Sequence, residues 1–176
     1  VYNFSLAFGD SVKIVVMPKG NAVQAVLYDK TKGMVFDMGS KGKLNSGMES
    51  FLELYGIKEL KGAFIESEQY YTITKYNEQM TIRPDRFYIN GEPDNDSELP
   101  FITGAQLDWN GVKIEALEDG YKTTTEGCVV TIEKGSVTIN GRNLDTTDEE
   151  YPLMIDMKNS QIRRTDYGFA YGFGSW

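Results

Sequence analysis

Apolar residues occupy every second position in the amino-terminal part of the chain, a spacing that is typical of β-strands. The alternation runs through three segments: Phe4, Leu6 and Phe8, then Val12, Ile14 and Val16, then Val23, Ala25 and Leu27. Gly9-Asp10 separates the first two segments and residues 18–21 separate the next two. Short turns between alternating segments predict a meander of antiparallel strands. Residues 33–37 form a fourth apolar run.

Two segments in the middle of the chain have helical features. Ser46-Gly47-Met48-Glu49 matches a capping box, and the apolar residues that share one helical face are Met48, Phe51, Leu52 and Tyr55. Gly56 stands where helices commonly end in a left-handed residue. A second helix is predicted over residues 69–79, although residues 70–74 favour strand by propensity.

The second half of the chain returns to strand patterns. Strands are predicted at 86–89 and 112–117, and hairpins at 129–133 with 136–139 and at 151–157 with 161–164. The acidic stretch 92–98 has the composition of an exposed loop. With 40% hydrophobic and 25% charged residues in 176, the chain fits one folded domain spanning 1–176. We therefore expect a single-domain, β-rich α+β fold.

The chain contains no His and only one Cys, Cys128, and this excludes several kinds of functional site. Cys/His zinc clusters and Ser-His or Cys-His nucleophile pairs cannot be assembled, and no cofactor is expected. Cys128 opens an apolar run and is expected to be a small buried residue. The net charge of -8 argues against a nucleic-acid partner. No apolar stretch approaches the roughly 20 residues of a spanning helix, so no membrane span is expected.

Several motifs occur in an order known from one family. Phe8-Gly9-Asp10-Ser11-Val12 precedes an apolar strand, Asp37-Met38-Gly39 ends another, and Gly56-Ile57-Lys58-Glu59-Leu60 follows the first helix. Over residues 4–142 this order resembles the metallo-β-lactamase fold. It is most similar to the hydrolase-like domain of ComEC-type DNA-uptake proteins. The resemblance implies a truncated or degenerate αβ/βα sandwich and a position on the extracellular face of a bacterial membrane.

The chain departs from that family at the metal ligands. Members carry an H-x-H-x-D-H cluster after the strand that corresponds to residues 62–65, whereas residues 66–71 here read ESEQYY. Gly141-Arg142 stands where the family has Gly-Asp, and only Asp10 and Asp37 match family positions. The resemblance therefore implies a pseudoenzyme without the zinc site, which binds or scaffolds an unidentified protein or small-molecule ligand.

A different class of function remains open on the same residues. Asp10, Asp37, Glu66 and Glu68 are candidates for a divalent-metal site, because carboxylate oxygens suit Mg²⁺ or Mn²⁺. Such a site would make the chain a hydrolase with carboxylate ligands only. In the competing interpretation the aspartates cap turns and the glutamates are solvated. The alternating acids Glu92, Asp94 and Asp96 lack the Gly and Glu of a calcium loop and are expected to be solvated.

Aromatic residues suggest a third function, a β-sandwich that binds a ligand or carbohydrate. The candidate binding surface consists of Tyr70, Tyr71, Tyr167, Phe169, Tyr171 and Trp176. Exposed aromatic rings stack on sugars or pack against partner proteins. The competing interpretation is an edge strand whose aromatic face packs on the core. This third hypothesis expects a fold without helices layered on a sheet.

Overall fold

The computed structural model describes residues 12–19, 22–38, 47–65, 70–93, 96–144 and 152–164. In these residues there are fourteen strands and two helices. The strands are β1 Lys13–Lys19, β2 Ala22–Asp29, β3 Lys32–Met38, β4 Glu59–Ile65, β5 Phe87–Ile89, β6 Glu98–Pro100, β7 Gln106–Trp109, β8 Val112–Ala116, β9 Gly120–Thr124, β10 Val129–Glu133, β11 Ser136–Ile139, β12 Arg142–Asn143, β13 Leu153–Asp156 and β14 Ile162–Arg164. The helices are α1 Gly47–Leu54 and α2 Tyr70–Gln79.

The described strands form two sheets. Sheet A has the order β14-β13-β1-β2-β3-β4-β5-β6, and sheet B has the order β12-β11-β10-β9-β8-β7. Neighbouring strands are antiparallel throughout sheet B and from β14 to β3 in sheet A. From β3 to β6 they are parallel. Sheet A is therefore mixed, and its parallel half carries the helical connections.

Sheet A lies between the two helices and sheet B. Along β1, Ile14 and Val16 pack in the cluster shared with sheet B, whereas Val15 and Met17 pack in the cluster shared with the helices. Because successive side chains of a strand point to opposite faces, an apolar run buries both faces of this sheet. The buried hydrophobic residues of the described segments therefore form two clusters, one on each face of sheet A.

An aromatic row covers the sheet-B face of the parallel strands. Phe36, Phe64 and Tyr88 are adjacent in register on β3, β4 and β5, and their rings stack with centroids 4.8 Å and 4.7 Å apart. Tyr121 of β9 reaches across from sheet B to within 5.4 Å of the Phe64 ring. These contacts join the two sheets near the ends of the parallel strands.

Both predicted helices are present, and each connects two parallel strands of sheet A. Helix α1 follows β3 and buries Met48, Phe51 and Leu52 against the sheet, as the spacing predicts. Gly56 has φ +72°, so the predicted left-handed end of this helix is confirmed. Helix α2 connects β4 to β5. Parallel strands need a long crossover, and this requirement overrides the strand propensity of residues 70–74.

The predicted strands and hairpins of the described segments are confirmed within a few residues. Asn110-Gly111 and Asn140-Gly141 have positive φ at both positions, which is the backbone geometry of tight hairpin turns. The prediction of an exposed loop over 92–98 is wrong at its end. Glu98 begins β6 opposite Phe87 and is buried, because pairing with β5 draws it into sheet A. The run Phe4, Leu6 and Phe8 lies outside the described residues.

Candidate functional site

The carboxyl ends of the parallel strands meet at one edge of sheet A. Asp37 of β3 lies beside Ile65 of β4, which in turn lies beside Ile89 of β5. In sheets with parallel strands and helical connections, ligands bind outside this edge, because the connecting loops leave the sheet there. The side chains at this edge are therefore the first candidates for a functional site.

Asp37 is a buried residue near the end of β3, and its described hydrogen bonds join three elements of the fold. Its side chain is 2% exposed. Oδ2 accepts hydrogen bonds from Nε2 of Gln24 and from the hydroxyl of Tyr76, each at a distance of 3.0 Å. Asp37 thus connects β2, β3 and α2. Its partners within the described residues are distant in sequence, and a role as a turn cap remains a prediction.

The environment of Asp37 also affects Tyr76. Tyr76 is fully buried, and its pKa is raised well above the usual value, first by desolvation and then by the nearby Asp37 carboxylate. The phenol therefore stays protonated and remains a hydrogen-bond donor at neutral pH. This arrangement places a permanent donor beside a buried carboxylate and favours a structural role for Asp37.

The other three predicted metal ligands, Asp10, Glu66 and Glu68, lie outside the described residues. The structure accordingly places one of the four candidates. Within the described segments, His, Cys, Asp and Glu side chains form no group of three or more that could hold a metal ion. The carboxylate-only metal site remains a prediction.

A small cavity opens between the sheets at the same edge, and we call it the edge cleft. Its volume is about 240 Å³. The lining residues come from the end of β3, from the residue after β5, from the turn between β8 and β9 and from the start of β9: Met38, Asn90, Leu117, Glu118, Asp119, Gly120 and Tyr121. The edge cleft is somewhat smaller than the roughly 300–1,000 Å³ of pockets that enclose whole small molecules.

Two polar side chains of the edge cleft hold its walls together. Nδ2 of Asn90 donates to Oγ1 of Thr103 at 3.0 Å and to the carbonyl of Leu117 at 3.1 Å. Oδ1 of Asn90 accepts a hydrogen bond from the Thr103 amide at 3.1 Å. The Tyr121 hydroxyl donates a hydrogen bond to the Ile65 carbonyl at a distance of 2.7 Å. These groups position the turn of sheet B against the ends of β4 and β5.

The remaining polar groups of the edge cleft are carboxylates. Glu118 and Asp119 are exposed in the turn between β8 and β9. Since the whole chain is acidic, a pair of carboxylates at this opening favours cationic groups over anionic ones. The donors Asn90 and Tyr121 are already hydrogen-bonded within the protein, so the two carboxylates are the groups that face a ligand. The arrangement is therefore suited to binding.

The sequence did not identify this cleft. Neither Asn90 nor Tyr121 belongs to a motif that indicates a site. The one available signal is the polar sequence Glu118-Asp119-Gly120 directly after the predicted strand 112–117. Its position opposite the end of β5 depends on packing between the sheets, which no local pattern encodes.

The predicted aromatic surface is largely outside the part of the chain that is described. Tyr70 and Tyr71 belong to α2, but their side chains are not among those described. Tyr167, Phe169, Tyr171 and Trp176 also lie outside the described residues. The aromatic surface therefore remains a prediction.

Cys128 is buried, as expected from its place at the start of an apolar run. Desolvation raises the pKa of its thiol, against the lowering effect of a hydrogen bond from Ser160. A buried thiol with a raised pKa is a poor nucleophile, because the thiolate is the reactive form. Cys128 therefore acts as part of the core.

Among the described helices, neither is both long enough and apolar enough to cross a membrane. Comparison of the sequence with protein-family models and with curated proteins gives no match.

Proposed function

We propose that this chain is a degenerate metallo-β-lactamase-like domain that acts by binding or scaffolding, as a module of a bacterial envelope-associated protein. The order of its layers supports the proposal. Helices α1 and α2 cover one face of sheet A and sheet B covers the other, which corresponds to an αβ/βα sandwich that lacks its second helical layer in the described residues. The order of sequence motifs supports the same assignment.

The contacts of Asp37 carry the functional part of the proposal. Asp37 matches the aspartate at the end of a strand in the resembled family. Here its Oδ2 accepts from Gln24 and Tyr76 inside the helix-facing cluster. A metal bound through Oδ2 would have to replace these two buried hydrogen bonds. Leaving their donors without partners would cost roughly 1–3 kcal/mol each.

The edge cleft supplies the binding surface in this proposal. It lies at the strand ends where the resembled family has its active site, and its rim carries Glu118 and Asp119. A cleft of this size accepts a side chain or a small group, so the ligand we infer is a basic side chain of a partner protein. The charge of -8 strengthens the attraction for such a partner.

Metal titration tests the absence of hydrolase chemistry. The purified chain is heated with and without Mn²⁺, Mg²⁺ or Zn²⁺, and hydrolysis of a phosphodiester and of a carboxylic ester is measured. We expect no saturable rise of the unfolding midpoint and no metal-dependent hydrolysis. A metal whose dissociation constant is about one hundredth of the applied concentration would stabilise the fold by about 2.7 kcal/mol. Such a scan detects a stabilisation of that size.

The carboxylate-only hydrolase predicts the opposite result. Metal-dependent hydrolysis that is lost in Asp37→Asn, with the variant still folded, would overturn our proposal. A matched control is Glu115→Gln, which removes one carboxylate from the outer face of sheet B. Metal effects that are equal in the two variants indicate nonspecific binding to an acidic surface and leave no support for a hydrolase.

A binding experiment tests the positive half of the proposal. Short peptides that contain Lys or Arg are titrated into the chain, with the same peptides carrying Gln as neutral controls. We expect the basic peptides to shift the backbone amide signals of residues 117–121, and a double variant Glu118→Gln, Asp119→Asn to lose the effect. Signals that move equally in the double variant would contradict a role for the edge cleft.

A further inference from the structure

A second cavity lies at the other end of the two sheets. Its volume is about 500 Å³, within the usual range for small-molecule sites. It is lined by the turn between β2 and β3, the turn between β7 and β8, the segment between β9 and β10, and the two ends of sheet A nearest to them: Asp29, Asn110, Gly111, Val112, Thr125, Glu126, Gly127, Met157, Lys158 and Val12. We call it the turn cavity.

The turn cavity contains an unsatisfied acceptor. Oδ2 of Asp29 accepts a hydrogen bond from Nδ2 of Asn110 at a distance of 3.2 Å. Its other oxygen, Oδ1, is buried and has no hydrogen-bond partner, and it is the one such buried side-chain atom among the described residues. Buried polar atoms are nearly always paired, so an unpaired carboxylate oxygen at a cavity indicates a missing donor.

The other lining groups define the chemistry of that donor. Partly exposed Val12 supplies an apolar wall that the buried side chains of Val112 and Met157 back, whereas Glu126 adds a second, exposed carboxylate. Lys158 is the one cation among the lining residues, and it is exposed. Acceptors and carboxylates therefore outnumber cations, and the apolar wall suits a short hydrocarbon stem.

We propose that the turn cavity binds a small aliphatic ammonium ion. Its N–H group donates to Oδ1 of Asp29, its stem packs on the apolar wall, and Glu126 attracts the charge. A hydrogen bond between an ammonium and a carboxylate is among the stronger ones in proteins. This site is independent of the function proposed for the edge cleft, because the two cavities share no lining residue.

Access to Oδ1 requires a neighbour to move. Asn110 is exposed and is held to Asp29 by one rather long hydrogen bond, so its side chain can turn away at little cost. The backbone of Asn110 has φ 50°, a left-handed conformation that glycine adopts readily. Asn110→Gly therefore removes the side chain that is hydrogen-bonded to the Asp29 carboxylate and keeps a residue that suits the turn.

The test uses cadaverine as the probe and pentanediol, its neutral analogue of equal length, as the control. Backbone amide signals of Gly111 and Gly127 report on the turn cavity during titration of the whole chain. We expect saturable shifts with cadaverine and none with the diol. Asp29→Asn should weaken cadaverine binding about tenfold or more, since it removes a charged hydrogen-bond partner. Asn110→Gly should bind at least as tightly as the original chain.

Each contrary outcome overturns the proposal. Equal binding by Asp29→Asn and the original chain would show that this carboxylate is not the recognition group. Binding of the diol would show that charge is irrelevant, and loss of binding in Asn110→Gly would assign recognition to Asn110. Glu115→Gln changes the net charge equally and lies in neither cavity, so an equal loss in that variant would reveal nonspecific attraction of cations.

Discussion

The hydroxyl of Tyr76 donates a hydrogen bond to Oδ2 of Asp37 at a distance of 3.0 Å. This bond joins helix α2 to the carboxyl end of strand β3. Gln24 donates to the same oxygen from β2. All three side chains are buried on the helical face of sheet A. A carboxylate in such a position fixes the helix against the sheet, because its donors are satisfied only in one arrangement.

The first prediction concerns this hydrogen bond. Tyr76→Phe keeps the ring and removes the donor, so we expect the free energy of unfolding to fall by about 1.5–3 kcal/mol, the range for hydrogen bonds to charged groups. Denaturation by urea measures the change. Tyr88→Phe is the matched control, because it also removes a hydroxyl and keeps the ring that is stacked on Phe64. We expect this substitution to change the free energy of unfolding little. Equal effects of the two substitutions would contradict the assigned role of Asp37.

The second prediction is a loss of stability in alkali. Burial raises the pKa of Tyr28, with a smaller effect of Tyr55, and burial and Asp37 raise the pKa of Tyr76. The folded chain therefore holds both phenol protons more tightly than the unfolded chain, in which tyrosine titrates near pH 10. The stabilisation is complete below about pH 10 and is lost as the pH rises above it, by about 1.4 kcal/mol per pH unit for each group.

Unfolding measured from about pH 8 to about pH 11 checks the alkaline effect. We expect the free energy of unfolding to fall more steeply above about pH 10 in the original chain than in Tyr76→Phe, which has lost one of the two groups. Tyrosinate absorbance should show that these two phenols ionise only when the chain unfolds. Parallel slopes in the two proteins would refute a raised pKa at Tyr76.

The parts of this fold that depend on local pattern were predictable. Period-two alternation predicts β1 and β2, an apolar run predicts β3, and the capping box with Gly56 predicts α1. Asn-Gly pairs mark two hairpin turns whose positive φ values few other residues tolerate. In each case the physical cause lies within a few neighbouring residues, so one sequence is enough to show it.

The parts that depend on pairing between distant segments were not predictable. Glu98 reads as the end of an acidic loop, but pairing with Phe87 places it in a buried strand. Asp37 reads as a ligand or a turn cap, whereas Tyr76, thirty-nine residues away, makes it part of the core. The edge cleft has the same origin, since it forms where the turn after β8 meets the end of β5.

The third prediction concerns the wall of the edge cleft. Asn90→Ala removes two hydrogen bonds donated to Thr103 and Leu117 and one accepted from the Thr103 amide. We expect a loss of about 1–3 kcal/mol in the free energy of unfolding and faster amide exchange in residues 117–121. Asn77→Ala, on the exposed side of α2, is the control and should change stability by less than about 0.5 kcal/mol. Unchanged exchange in Asn90→Ala would show that Asn90 does not hold this turn.

The fourth prediction compares two glycines that face different neighbours. A Cβ at Gly120 would overlap the backbone carbonyl oxygen of Ile132 on the adjacent strand β10. A Cβ at Gly62 would lie 2.7 Å from Cε2 of Tyr88, the outer part of a side chain. Backbone in the middle of a sheet moves only with its hydrogen bonds, whereas a half-buried ring can turn.

We therefore expect Gly120→Ala to destabilise the chain by about 3 kcal/mol or more and Gly62→Ala by about 1–2 kcal/mol, both within or near the range for overpacked sites. Urea denaturation of the two variants gives the comparison directly. Because Gly120 also lines the edge cleft, its substitution should broaden or shift the amide signals of residues 117–121, while Gly62→Ala leaves them in place. The reverse order of stabilities would mean that β9 and β10 do not approach as closely as the structure has them.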